Sequence, residues 1–253
     1  MRQIPDTTLR PCESRRTAPY MSAKIYQRGS SILVALVLVR FAAATSLAGE
    51  VLPPPQEPDE ITAPATLRLR PATHLSLGPI VARFEETTLS HVCRDTETGA
   101  IAHQGDAGNS IHWLCYTVPR SGSAERLWIV ASEMGGADHT ITEMIATQVA
   151  SDAAAPTAGC PALPSRFRIL SLDRGVWLGI SRQQLIRTLG KPSRTRGDWP
   201  VFHYRGKVRR TQGTKTLATD QQRVYLDETN LLEARIAHHR VVALRAAKIT
   251  TFN

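Results

Sequence analysis

The sequence predicts an α+β fold: two helix-plus-antiparallel-sheet repeats packed together, preceded by a signal peptide and a Pro-rich tether. Three observations carry this expectation. Residues 180–190 read as a capped amphipathic helix feeding short strands, residues 84–147 hold a blurred copy of the same order, and a charged, then apolar, then Pro-rich stretch precedes both. The chain divides accordingly into a leader and signal peptide (1–48), a Pro-rich linker (49–73), a first repeat (74–150), a linker (151–164) and a second repeat (165–253).

Residues 32–39 (ILVALVLV) form a short apolar run behind Lys24 and Arg28 and ahead of small residues. This is the pattern of a secretory signal, with cleavage after Ser46-Leu47-Ala48. The run falls short of the roughly 20 apolar residues that span a bilayer, and Arg40 ends it, so no stable membrane span is expected after cleavage. Met1 and Met21 are both candidate starts, and no cysteine follows the small-residue triplet to accept a lipid. A periplasmic or secreted location follows. Seven of the 31 Lys+Arg and two of the 22 Asp+Glu lie in the leader, so the formal charge drops from +9 to +4, 24 cations against 20 anions. A nucleic-acid partner is not expected, because the basic residues left in 205–215 lack interleaved aromatics and read as a solvated hairpin.

Export implies an oxidising compartment. With Cys12 in the leader, Cys93, Cys115 and Cys160 remain, and pairing two of them leaves one thiol over. Cys115 to Cys160 is the expected pair, since Cys115 lies in the apolar strand 112–118 and Cys160 follows an Ala/Pro/Thr linker able to reach it. Cys93 to Cys115 is the competing pair.

Residues 51–71 carry six prolines and the acids Glu57, Asp59 and Glu60, and read as an extended tether. In the second repeat Ser181 is an N-cap with Gln184 at capping-box spacing. Ile180 is the staple, Leu185, Ile186 and Leu189 mark the buried face, and Gly190 and Pro192 stop the helix. Strands are expected at 199–204, 223–227 and 231–237, a fourth at 241–244, and a turn at Asp227-Glu228-Thr229-Asn230. In the first repeat the helix is expected at 84–92 and strands at 111–118, 127–132 and 140–147, with Gly135-Gly136-Ala137-Asp138 as the turn. Placing Phe84 on Ile180, Tyr116 on Tyr204 and Glu143 on Glu233 aligns the two orders, with loops of different length. Short strands and local turns argue antiparallel meanders with one face under each helix.

Gly179-x-Ser181 opening a helix, Leu189-Gly190-Lys191-Pro192-Ser193 closing it, and an aromatic strand with Trp199 and Tyr204 resemble the SmpA/OmlA family. Those are the small lipoproteins of the outer-membrane β-barrel assembly machinery. The β-lactamase inhibitory proteins carry a similar unit in tandem. The resemblance covers residues 178–237 and implies a helix-plus-sheet unit, a Gram-negative cell envelope and a protein-binding role without catalysis. The chain departs from the pattern in lacking a lipid-accepting cysteine and in carrying Glu97-Thr98-Gly99 where the upstream copy would have Leu-Gly-x-Pro. A shared fold does not transfer a partner.

Chemistry is sparse. No nucleophile elbow, His-Glu-x-x-His or phosphate-cradling loop occurs, and no cofactor is expected. His91, Cys93, His238 and His239 are metal-ligating types, but strand neighbours point to opposite faces, and no metal is expected. His103 and Asp106, in the glycine-rich stretch 99–109, read either as an acid/base pair or as turn residues. Trp113, Tyr116, Trp128, Trp199, Tyr204 and Tyr225 form either a partner-binding surface on the sheet or a shared core. Together these readings describe an exported, non-enzymatic protein-binding module of the cell envelope, an assembly factor or inhibitor-like protein. The alternative is a small envelope hydrolase using His103 and Asp106.

Overall fold

The computed structural model describes residues 8–12, 51–55, 63–106, 109–150, 155–209 and 225–252; the apolar run at 32–39 and the expected cleavage site lie outside them. Its strands are β1 (Thr8–Pro11), β2 (His74–Leu77), β3 (Ile80–Arg83), β4 (Ala100–Gln104), β5 (Ile111–Arg120), β6 (Ser123–Ser132), β7 (Glu143–Val149), β8 (Leu170–Leu172), β9 (Arg194–Arg196), β10 (Trp199–Arg209), β11 (Tyr225–Ala237) and β12 (Arg240–Phe252). The helices are α1 (Leu89–Thr96) and α2 (Arg182–Leu189). Nine strands form one antiparallel sheet in the order β1-β4-β5-β6-β7-β12-β11-β10-β9, and a second, three-stranded sheet has the order β3-β2-β8.

The expected fold class is therefore corrected. Among the described residues the chain is mostly β, with two α-helices of eight residues each, and is not a pair of packed helix-plus-sheet repeats. Two pairings remove the boundary between the expected units. β7 and β12 join edge to edge, Glu143–Thr147 against Ala243–Ala247, so the sheet runs on without a break. β2 and β3, which precede α1, share their sheet with β8, which precedes α2. Two turns of helix cannot cover a nine-stranded surface, and the small sheet supplies the rest of the cover.

Local signals placed α2 well. Ser181 Oγ accepts from Gln184 N at 3.1 Å, and Gly190 takes φ +90°, which a side chain would resist. α1 begins later than expected, because Glu85 adopts φ +63° and its carboxylate accepts from Thr250 N and Oγ1 at 2.5 and 2.7 Å. Thr88 caps the helix instead, accepting from His91 N at 3.1 Å. The expected turn at 227–230 is also overturned: β11 passes straight through it, paired with β10 on one side and β12 on the other. Its polar residues are buried with partners, Asp227 with Arg205, Glu228 with Arg70 and Asn230 with Ala72.

Both faces of the large sheet are covered. Leu114, Tyr116, Leu127, Ile129, Phe202 and Leu232 pack under α1, α2 and the small sheet. Trp113, Cys115, Trp128, Val130 and Ile145 form a second cluster on the opposite face, topped by Cys160, Val51 and Leu52. Each such fully buried side chain contributes about 1.5–3 kcal/mol.

Cys115 is bonded to Cys160, and Cys12 to Cys93. The expected leftover thiol is thus corrected, there being no free cysteine among the described residues. Cys93 lies on the buried side of α1, and the second bond ties β1 to it along the outer edge of β4. A chain cleaved after Ala48 would lack both Cys12 and β1. No helix among the described residues is long and apolar enough to cross a membrane.

Candidate functional site

The described parts of the Pro-rich stretch, residues 51–55 and 63–71, lie on the sheet as a strap. Leu52 O accepts from the indole N–H of both Trp113 and Trp128, at 3.0 and 3.1 Å. Further along, Ala63 O accepts from His203 Nδ1 at 2.6 Å. β9 is too short to cover the whole edge of β10, and the strap takes over where it ends: Thr66 N and Leu67 N both donate to His203 O at 3.1 Å. Beyond this edge the contacts move to the helix-bearing face. The Arg70 guanidinium forks onto Glu228 and lies 5.5 Å from the centre of the Tyr204 ring. That ring lies over Gly206, where a Cβ would come within 2.1 Å of the tyrosine hydroxyl. Proline suits such a path because it holds φ extended and leaves no N–H to satisfy.

Where the strap rounds the edge it forms a groove with the end of α2 and the turn that follows, a cavity of about 580 Å³. Leu67, Leu69, Leu189 and Pro192 give it apolar surface, and Arg68, Arg174 and Lys191 give it charge. All three cations are exposed and none has an ion-pair partner among the described residues. The carboxylates beside the groove are engaged elsewhere. Glu228 holds Arg70, and this hydrogen bond raises the guanidinium pKa further. Burial pushes the Asp173 carboxyl up, but hydrogen bonds from the Thr73 hydroxyl and the N–H groups of Thr73 and His74 outweigh it and hold the group below its usual range.

Arg174 and Lys191 belong to a longer basic run. Between Asp173 and Asp198 the chain carries six Lys or Arg residues, all exposed, and no carboxylate. Arg182 is the first residue of α2, where the helix dipole opposes a cation by about 0.3–1 kcal/mol. Arg187, in the last turn, is favoured by the same dipole, so helix stability accounts for Arg187 but not for Arg182.

The aromatic residues do not share a surface. Trp113 and Trp128 are buried on the strap side, while Tyr116 is buried on the helix side. Burial pushes the Tyr116 hydroxyl up to about 12, and its hydrogen bond to Thr96 opposes this. Trp199 is half-buried at the start of β10, and Tyr204 is half-buried beneath Arg70. Tyr225, 48% exposed, pairs with Arg209 at the far end of that strand.

His103 Nε2 meets Ser110 Oγ at 3.0 Å, and no ion pair joins it to exposed Asp106 among the described residues. His103, His112 and His139 stack, with ring centres 4.4 and 3.7 Å apart. Burial lowers His112 to about 4, with the charges of His139, His103 and Arg10 adding to the effect. His91 pairs with Asp95 at 3.0 Å, and Cys93 is in its disulfide. His238 and His239 both have positive φ and make the turn between β11 and β12 rather than adjoining strand positions. No group of metal-ligating side chains suited to an ion occurs among the described residues.

Arg68 and Arg174 were not singled out from the sequence, and Lys191 was read only as part of the motif that closes the second helix. The available signal was the carboxylate-free run after Asp173, which is visible only when charge is read segment by segment. Comparison with protein-family models, curated proteins and solved structures yields no match.

Proposed function

We propose that this protein is an exported, non-enzymatic binding module of the cell envelope, periplasmic or secreted, acting as an assembly factor or inhibitor-like component on an acidic protein partner. The observation that carries this reading is the run 174–197, six exposed Lys or Arg residues with no Asp or Glu among them in sequence, in a chain where Cys115 is bonded to Cys160. Exposed cations in such excess steer acidic partners and reject basic ones more than they add raw affinity. The signal-like run at 32–39 and the Cys115–Cys160 bond, which cleavage after Ala48 would leave in place, support export. Neither the aromatic surface nor a repeat contributes to it.

The test is capture from a cell-envelope extract at low ionic strength with the immobilised chain, comparing the parent with Arg182→Glu combined with Arg187→Glu. Both side chains are exposed, so the fold should persist. The expected outcome is an acidic protein retained by the parent, released by salt and lost with the double variant. Equal capture by both, or preferential capture of nucleic acid, would count against the reading.

A further inference from the structure

We propose that the groove between residues 66–69 and 188–193 seats an extended acidic segment of the partner, its carboxylates on Arg68, Arg174 and Lys191 and an intervening apolar side chain against Leu69 and Leu189. This rests on the binding-module reading and names which part of the partner is read.

Charge, surface and backbone point to the same occupant. Two guanidinium groups and an ammonium without ion-pair partners among the described residues face one cavity, and the planar forks of Arg68 and Arg174 match carboxylates two bonds at a time. A bare anion would need no apolar wall, yet Leu69 stands 64% exposed on the rim. The main-chain groups of Arg68 and Leu69 make no hydrogen bond among the described residues, although Thr66 N and Leu67 N just before them are both bonded. Free main-chain donors and acceptors beside side-chain subsites are what an extended peptide uses and a lipid headgroup does not.

The walls are also held before any ligand arrives. Thr66 Oγ1 donates to Ser193 Oγ at 2.7 Å, Ser193 Oγ accepts from His203 N at 3.0 Å, and Arg174 Nη2 donates to Arg70 O at 3.5 Å. These bonds link the strap to the turn after α2 and to the segment carrying Arg174. Binding then needs less ordering of the receptor.

Fluorescence anisotropy with the full chain tests this directly. The probes are a labelled synthetic peptide alternating Asp and Leu, the same peptide with Asn for Asp, inorganic phosphate as competitor, and phosphatidylglycerol vesicles assayed by co-sedimentation. The Asp peptide is expected to bind saturably and the Asn peptide not to bind. Arg68→Ala with Lys191→Ala should weaken binding about tenfold or more, the equivalent of about 1.4 kcal/mol. Leu69→Asp should weaken it through both lost contact and repulsion, and thermal melting of each variant checks the fold. An affinity unchanged in the double variant overturns the proposal, as does binding to vesicles but not to peptide, or no binding of the Asp peptide. If Arg182→Glu with Arg187→Glu abolishes partner capture while the groove variants keep it, the groove assignment falls and the module reading stands. If capture survives every charge change, both fall.

Discussion

Asn230 and Ala72 exchange two hydrogen bonds: Ala72 N donates to Asn230 Oδ1 at 3.1 Å, and Asn230 Nδ2 donates to Ala72 O at 2.5 Å. The amide side chain acts as a one-residue strand partner for the strap, in a site where both residues are fully buried. Asn230→Ala would leave two buried main-chain groups unpaired, at about 1–3 kcal/mol each. A loss of about 2–4 kcal/mol is expected in urea denaturation. A loss below about 1 kcal/mol would show that water replaces the amide at no great cost.

Two opposing pH dependences should overlap between about pH 4.5 and 6.5, with the carboxylate pair alone acting from about 6.5 to 7. Arg245 lies between Glu143 at 2.5 Å and Glu233 at 3.5 Å, one cation for two carboxylates. Burial raises both carboxyls to about 7, the Glu233 charge adding to the effect at Glu143, and burial lowers Arg245 to about 10. The folded chain therefore binds more protons than the unfolded one between about pH 4.5 and 7, and stability drops as pH rises through that window. His112 acts in the opposite sense. Its folded value of about 4 lies below the ordinary 6.5, so stability drops as pH falls from about 6.5 to 4. Glu233→Gln should stabilise the protein at pH 8 by on the order of 1–3 kcal/mol and change little near pH 4. His112→Phe removes the opposing contribution and should steepen the loss of stability as pH rises from about 4.5 to 6.5. Melting temperatures across the pH range measure both, and a Glu233→Gln variant less stable than its parent at pH 8 would refute the assignment.

Non-reducing peptide mapping should recover the Cys115–Cys160 peptide from any form of the chain. A Cys12–Cys93 peptide should appear only where residues 8–12 are retained; in a chain cleaved after Ala48, Cys93 should instead react with a thiol reagent on unfolding. Cys115 and Cys160 are 45 residues apart, and replacing both with serine should cost about 4 kcal/mol by loop-closure entropy. Unchanged unfolding in the absence of reductant would contradict this.

The six aromatic residues should separate by position. Trp113→Ala empties a buried site beneath Leu52 and should cost about 3–5 kcal/mol, whereas Tyr225→Ala should stay within about 0.5 kcal/mol. Trp199→Ala should fall between them. Chemical denaturation of the three variants gives the order, and a Tyr225 cost as large as that of Trp113 would contradict it.

Elements bounded by local chemistry were legible in the sequence. α2 was readable from Ser181 to Gly190 because a hydroxyl cap and a glycine with positive φ act within a few residues of their targets. Cys115 and Cys160 were readable from strand and linker composition. The polar run 227–230 was misread because turn and buried strand use the same residue types. What separates them is whether Arg205, Arg70 and Ala72 arrive from elsewhere in the chain. The groove was missed for a related reason: Arg68 and Lys191 lie far apart in sequence, and their segments meet through bonds such as those from Thr66 Oγ1 to Ser193 Oγ and from Leu67 N to His203 O.

Composition and order alone carried the capped second helix, an extended Pro-rich segment, Cys115–Cys160 as the favoured pair and the basic, carboxylate-free run after Asp173. Tertiary structure decided that the strands fuse across β7 and β12 into one sheet, that the strap crosses from face to face, and that three distant cations share a cavity. The reason is physical. Caps, turns and proline stiffness act over a few bonds, whereas edge pairing and charge convergence depend on which surfaces meet once apolar side chains leave water.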